Sequence, residues 1–278
     1  MIRRLSLVAL AASTLTLVAC GGDDSSSSSS GDCSTITEGK LTIGTGSPAY
    51  SPWVENDAPE SGEGFEAAVA LAVAKELGYE GENVVWVRTT FDEAIQPGAK
   101  NFDFNLQQYS ITDERKQTVS FSDSYYTTNQ AMVAYADSPV ASMTTLAELA
   151  NVKFGVQSGT TSLDFVTSVI APTTEPYVYD DNAAAKAALE AKQIDAIVVD
   201  LPTALYISAV EIEGTKVVGQ FPAEAGGTTD EFGMVFDLEN PLVDCVNTAL
   251  AQIRQIGTLD AIEQQWLSDN ISAPVISE

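Results

Sequence analysis

Three places in the 278-residue chain end a predicted strand with groups that could hold a small zwitterion. The run 102–106 (FDFNL) leads into QQYSITDER. There Thr112 reads as a helix N-cap with Asp113 and Glu114 in the first turn, which aims Arg115 back across the strand end. A guanidinium fork matches a carboxylate in plane, a geometry that lysine does not reproduce, although Arg115 could also simply pair with Asp113 or Glu114 at the surface. The run 152–156 delivers Ser158, Gly159, Thr160 and Thr161 to a helix start, where unpaired amides and the helix dipole favour an anion, or where the turn is only capped. Asp200 follows the run 196–199, placed either to take an ammonium or to cap the next helix. Carboxylate and ammonium share one carbon in a free amino acid, so a bidentate cation, amides and an acid together would suit that class of ligand.

Other chemistry is excluded by composition. The chain has no histidine, which removes Ser-His-Asp and Cys-His catalysis and the commonest ligand of zinc and iron sites; no metal or cofactor is expected. With 39 acidic and 13 basic residues the net charge is −26, an improbable partner for nucleic acid and most simply a solvated surface that repels its copies, as suits a monomer.

The elements that must position these residues alternate short β-branched runs with amphipathic helices, the pattern of an α/β protein. The segment 40–44 (KLTIG) predicts a strand running into a loop of turn formers at 45–52. Phe65, Val69, Val73 and Leu77 follow helical spacing, with Gly78 as a stop. Strands are predicted at 84–88 and 102–106, with a short helix from Phe91 broken by Pro97 and Gly98. A second unit of the same style follows, with strands at 152–156 and 196–199, a helix through Phe165 and Val169, and another at 183–192. Asn240 and Pro241 open a helix that buries Leu242, Cys245, Val246, Ala249, Leu250 and Ile253, Gly257 closes it, and Ile262 and Trp266 stripe a last one. A chain of this length can form two related α/β lobes.

From Leu41 to Trp266 the sequence resembles the polar amino-acid family of periplasmic solute-binding proteins of ABC importers. The resemblance rests on GTGSPAYSPW at 44–53, Gly64-Phe65-Glu66, SITDER at 110–115, FSDSYY at 121–126, GVQSGTT at 155–161, DAIVVDLP at 195–202 and the stretch from Gly257 to Trp266. It implies a two-lobed periplasmic-binding-protein type II fold with a two-crossing hinge near 130–137 and 231–237, the first lobe comprising 37–133 with 234–278 and the second 134–233. It further implies that Arg115 clamps an α-carboxylate with help from the Ser110 hydroxyl and the Thr161 amide, that Asp200 and the backbone around Gln108 take the α-ammonium, and that Tyr50 and Phe91 sandwich the ligand side chain. Relatives that prefer cationic side chains, and some that bind amides, carry an acid in the first loop where this chain has Ser47, and many have a small residue at Gln107. Nothing here supplies an extra cation for an acidic side chain either, so a neutral or polar amino acid is expected. A permease of the importer is the implied protein partner. The same lobes also serve a few dehydratases and lytic enzymes, and amino-acid sensors, which stand as alternatives to the expected non-enzymatic role.

The first residues read as an address. Arg3 and Arg4 precede a weakly polar to apolar run from Leu5 to Ala19 that is too short to span a membrane, so residues 1–19 are expected to be a signal peptide. Leu17-Val18-Ala19-Cys20 resembles the lipobox of bacterial lipoproteins, which makes Cys20 the expected lipid anchor, followed by a Ser-rich linker over 20–36. The expectation is an extracytoplasmic protein held to the cell membrane by lipid alone. Cys33 and Cys245 then remain; in an exported protein they read as a disulfide, the alternative being a Cys245 that is merely a buried apolar residue. The resemblance returns the helix carrying Cys245 to the lobe that begins just after Cys33, and so favours the bond.

Overall fold

The computed structural model describes residues 33–267 and 273–277. The expected signal peptide at 1–19, the expected lipid anchor Cys20 and most of the Ser-rich linker lie outside the described residues. No helix among the described residues is long and apolar enough to cross a membrane.

Two sheets organise the chain. Strands β1 (Leu41–Gly46), β2 (Val84–Thr89), β3 (Phe104–Asn105) and β4 (Ser120–Phe121) belong to the first. Strands β5 (Tyr126–Tyr135), β6 (Phe154–Gln157), β7 (Tyr177–Tyr179), β8 (Ala196–Asp200), β9 (Thr215–Phe221) and β10 (Thr229–Phe232) form the second, and β11 (Val235–Phe236) returns to the first. The first sheet runs β2-β1-β3-β11-β4, with β1 parallel to β2 and β3. Every residue of β1 is buried, as expected of a central parallel strand covered on both faces. The second sheet runs β10-β5-β8-β6-β7, and β9 also pairs with β5.

Helices α1 (Phe65–Glu76), α2 (Phe91–Ile95), α3 (Thr161–Phe165), α4 (Asn182–Glu190), α5 (Leu201–Tyr206), α6 (Leu242–Gln255) and α7 (Thr258–Trp266) cover these sheets. The apolar stripe of α6 packs with Phe65, Val69 and Val73 of α1 into the main core of the first lobe. In the second lobe the period-2 alternation of β5 and β8 splits two cores: Met132, Ala134 and Val198 face one, Ala131, Val133 and Val199 the other. The architecture is the two-lobed type II periplasmic-binding-protein fold. A disulfide joins Cys33 to Cys245 with the Cα atoms 5.9 Å apart, an ordinary spacing for this bond.

Three details depart from the sequence expectations. The long strand β5 makes the first crossing: Tyr126 belongs to the first core, yet Gln130 already pairs with Asp200 and Phe221 of the second sheet, before the boundary expected at residue 134. The return crossing is β10, which lies antiparallel against 126–129. A continuous strand gives no compositional break, so its sequence does not mark where one sheet hands over to the next. The segment after Thr112 forms a single 3-10 turn, Arg115–Gln117, and no α-helix. The cap position is Glu114 rather than Thr112, although the Thr112 hydroxyl still accepts from the Arg115 amide at 3.2 Å. The tail at 273–277, expected with the first lobe, lies against the second: Ile276 is 1% exposed in that core, and its amide and the Pro274 carbonyl bond Gln220 of β9. Gly219 makes this approach possible, because a Cβ there would lie 2.7 Å from Ile276.

Candidate functional site

The first wall of the cavity is the loop after β1. Arg88 braces it, donating to the Gly46 carbonyl at 2.8 Å and to Asp57, whose carboxylate also accepts from the Ala49 amide. Tyr50 is presented by this loop with its hydroxyl buried and unpartnered among the described residues. Burial first, and the nearby charge of Asp181 second, push its pKa up to about 12. Lys186, which pairs with Glu211, lies 5.0 Å from the Tyr50 ring centre. Trp53 ends the loop, held edge-on by Phe65, Tyr126 and Phe232.

The strand end after β3 supplies the cation. Arg115 is 8% exposed; its Nη1 donates to the Ser110 carbonyl at 2.7 Å and its Nη2 crosses to the Gly159 carbonyl of the second lobe at 2.9 Å. Its guanidinium stands 5.4 Å from the centre of the Phe91 ring, which in turn packs on Tyr109. Burial pulls the Arg115 pKa down, and no carboxylate among the described residues pairs with it. Gly159 adopts φ +69°, a left-handed conformation that favours glycine, and a Cβ there would crowd the Asp92 carboxylate across the lobes at 2.6 Å.

Gln108 sits just before Ser110 with φ +52°, a costly conformation for a residue with a side chain. Glu66, in the first turn of α1, holds it there by accepting from the Gln108 amide at 2.8 Å and from its Nε2 at 2.5 Å. Tyr125 donates to the same carboxylate. Burial pushes Glu66 up to about 7 against these donors.

The second lobe contributes two strand ends. Beyond β6, Thr160 caps α3 and the Thr161 hydroxyl lies 3.1 Å from that of Ser110 across the lobes. Ser162 donates to Gln130 at 2.6 Å, and Gln130 donates to Asp230 at 2.6 Å, tying α3 to both crossing strands. Beyond β8, Asp200 caps α5: its Oδ1 accepts from the Thr203 amide at 2.9 Å and its Oδ2 from the Thr203 hydroxyl at 2.8 Å. Asp200 is partly exposed toward the cavity, yet the surrounding protein strips enough water from it to push its pKa up to about 6. It has no ion-pair partner among the described residues.

The structure brings Ser47, Tyr50, Phe91, Gln108, Ser110, Arg115, Thr161 and Asp200 to the lining of one cavity of about 170 Å³ between the lobes. Opposite charges therefore face one small space, each short of a partner. That is the arrangement a zwitterion completes.

The sequence pattern of bacterial extracellular solute-binding proteins, family 3, matches residues 41–269. The chain belongs to that family. This family 3 protein is 30% identical over 227 residues to an arginine-binding periplasmic protein of Mannheimia haemolytica, covering 79% of this chain and 88% of that one. Among solved structures, an ancestral arginine-binding protein bound to glutamine superposes with a TM-score of 0.70 at 30% identity, covering 84% of this chain and all of that one. An ancestral amino-acid-binding protein described as a precursor of cyclohexadienyl dehydratase superposes with a TM-score of 0.67 at 31% identity, over 82% and 95%.

Several lining residues of this family 3 protein escaped the sequence reading. Gln157, the last residue of β6, is 8% exposed, and its side-chain amide has no partner among the described residues. It stands inside GVQSGTT, and a polar residue ending an otherwise apolar strand is the signal that could have found it. Asp180 and Asp181, before α4, also line the cavity. They follow β7 directly and Asp181 caps α4, the same arrangement as Asp200, so the run Tyr177-Val178-Tyr179 before two acids is the signal that could have found them. Glu66 lies in a quoted motif, but its partner Gln108 is 42 residues away, a pairing that only the fold makes.

Proposed function

We propose that the protein is the substrate-binding component of an amino-acid ABC importer, closing its two lobes on a free amino acid and presenting it to a permease. The observation that carries this reading is the pair Arg115 and Asp200, opposite charges on one cavity with no ion-pair partner of their own among the described residues. Arg115, with the Ser110 hydroxyl and the Thr161 amide, takes the α-carboxylate. Asp200 and the backbone at Gln108 take the α-ammonium, and Tyr50 and Phe91 flank the side chain. Contacts from both lobes favour the closed form, because a ligand shifts an equilibrium only by binding one state better. The lobes divide within β5, near residues 129–130, and again after β10, with the tail on the second lobe.

A neutral or polar side chain is the leading substrate class. Ser47 stands in the first loop, and Gln157 and the buried Tyr50 hydroxyl line the cavity as uncharged polar groups, suited to an uncharged polar tip. A basic side chain is the second reading, favoured by Asp180 and Asp181 on the lining. Cys20 carries the lipid that holds the mature protein to the outer face of the cell membrane. The enzyme alternative needs an acid free to transfer a proton in the cavity; Glu66 spends its oxygens on Gln108 and Tyr125, and Asp200, which does face the cavity, is assigned to the ammonium.

A thermal-shift screen across the twenty L-amino acids tests the reading. A ligand at 100 times its Kd adds about 2.7 kcal/mol of stability. Glutamine and arginine separate the two side-chain classes. Titration of Arg115→Lys with the best ligand should show a loss of well over tenfold, because an ammonium keeps the charge and loses the planar fork. Binding within about threefold of the parent would remove the clamp.

A further inference from the structure

Across the lobe boundary, the Trp53 indole Nε1 donates to the Thr203 hydroxyl at 2.8 Å. That hydroxyl donates onward to Asp200 Oδ2 at 2.8 Å. Trp53 is 1% exposed and Thr203 is 7% exposed, so water competes poorly for either bond. A hydroxyl has one proton to give, and accepting from the indole leaves that proton for the carboxylate; the three groups form a directed relay from lobe one to the acid of lobe two. Both ends of the relay are rigid. The indole is wedged among Phe65, Tyr126 and Phe232 at ring-centre distances of 5.7–5.8 Å, and Asp200 is fixed at the start of α5 by the Thr203 amide.

We propose that Trp53 is a positioning residue for the ammonium subsite: through the Thr203 hydroxyl it clasps the second lobe to the first and sets the rotamer of Asp200. The proposal rests on the amino-acid reading for its ligand, and on the cross-lobe bond for its mechanism. Indole N–H and carboxylate are joined only when the lobes meet, so closure and the aiming of Asp200 become one event. The other cross-lobe bonds, from Arg115 to Gly159 and between Ser110 and Thr161, act at the carboxylate end and do not touch Asp200.

The test is a double-variant cycle with the tightest-binding member of the twenty-amino-acid panel as probe, read by titration calorimetry. Trp53→Phe removes the first donor and Thr203→Val removes the bridge. Each is expected to weaken binding by about tenfold, the scale of one buried hydrogen bond to a polarised chain, and the double variant to bind no worse than Thr203→Val alone. Thr203→Ser, which keeps the hydroxyl, should recover most of the affinity lost in Thr203→Val. Independent effects that multiply in the double variant, or Trp53→Phe binding within about twofold of the parent, would overturn the proposal. Should Trp53→Phe fail to fold, Thr203→Val carries the test through hydrogen exchange of the Trp53 indole proton: protection in the parent that Thr203→Val abolishes upholds the clasp, and equal exchange refutes it. If no amino acid binds the parent, the importer reading fails separately, and the same exchange measurement in buffer still decides the clasp.

Discussion

Two acids surrounded by protein, Glu66 and Asp200, are both raised above ordinary carboxylate behaviour, first of all by burial; a nearby acid adds to each, Asp200 for Glu66 and Asp230 for Asp200. Neither has a cation beside it among the described residues. They differ in what their oxygens do. Glu66 is 2% exposed and accepts from three donors, the Gln108 amide, the Gln108 side chain and Tyr125, so nothing is left to offer a ligand. Asp200 accepts from the amide and hydroxyl of one residue, Thr203, and keeps a face on the cavity. A desolvated acid saturated by donors belongs to the scaffold, whereas one with acceptor capacity to spare is a site for a positive group.

The largest effect expected from that difference is on ligand affinity. Asp200→Ala should lower affinity for the amino acid by about 2 to 5 kcal/mol, while the ligand-free protein loses only the worth of a helix cap, about 1 kcal/mol. Titration calorimetry and denaturant melts read the two quantities. A variant that binds normally would make Asp200 a cap and nothing more.

Glu66→Ala should show the opposite balance. It leaves the Gln108 amide and side chain and the Tyr125 hydroxyl without their acceptor, and a buried group left unsatisfied costs about 1 to 3 kcal/mol. Denaturant unfolding should record that loss, and binding should weaken through the released Gln108 backbone, by less than in Asp200→Ala. Equal stability in Glu66→Ala and the parent would dissolve the distinction between the two acids.

The smallest effect, and the sharpest, is in pH dependence. Burial raises both folded-state values above those of the unfolded chain, so the folded protein binds protons that the unfolded chain has already released between about pH 4 and 7; ligand-free stability from these two groups therefore falls as pH rises through that window. Ligand affinity runs the other way. An ammonium favours ionised Asp200, whose free value is about 6, so affinity should drop about tenfold between pH 7.5 and pH 5. Asp200→Asn should flatten the affinity profile and Glu66→Gln should leave its slope in place. A profile unchanged in Asp200→Asn would assign the titration elsewhere.

Much of the fold was legible because local chemistry sets it. The helical spacing of Phe65, Val69 and Val73, the Pro241 opening of α6 and the Gly257 stop predict elements that the structure contains. The positions of Arg115, Thr161 and Asp200 at strand ends were visible for the same reason: turn formers, caps and β-branched runs act over a few residues. The handover inside β5 and the seat of the tail were not visible, since an uninterrupted strand and a short segment at 273–277 carry no periodic signal.

The sequence by itself determined that the protein has no histidine chemistry, that Cys33 and Cys245 were available to each other, and that one cation and one acid stood where strands end. Tertiary structure alone decided that Arg115 reaches Gly159, that Glu66 locks Gln108, that Gln157 enters the cavity unpaired, and that Trp53 meets Thr203 across 150 residues of chain. The physical reason is range. Propensity and capping are settled among near neighbours, whereas a buried hydrogen bond between distant residues exists only after two lobes have packed and water has been expelled from between them.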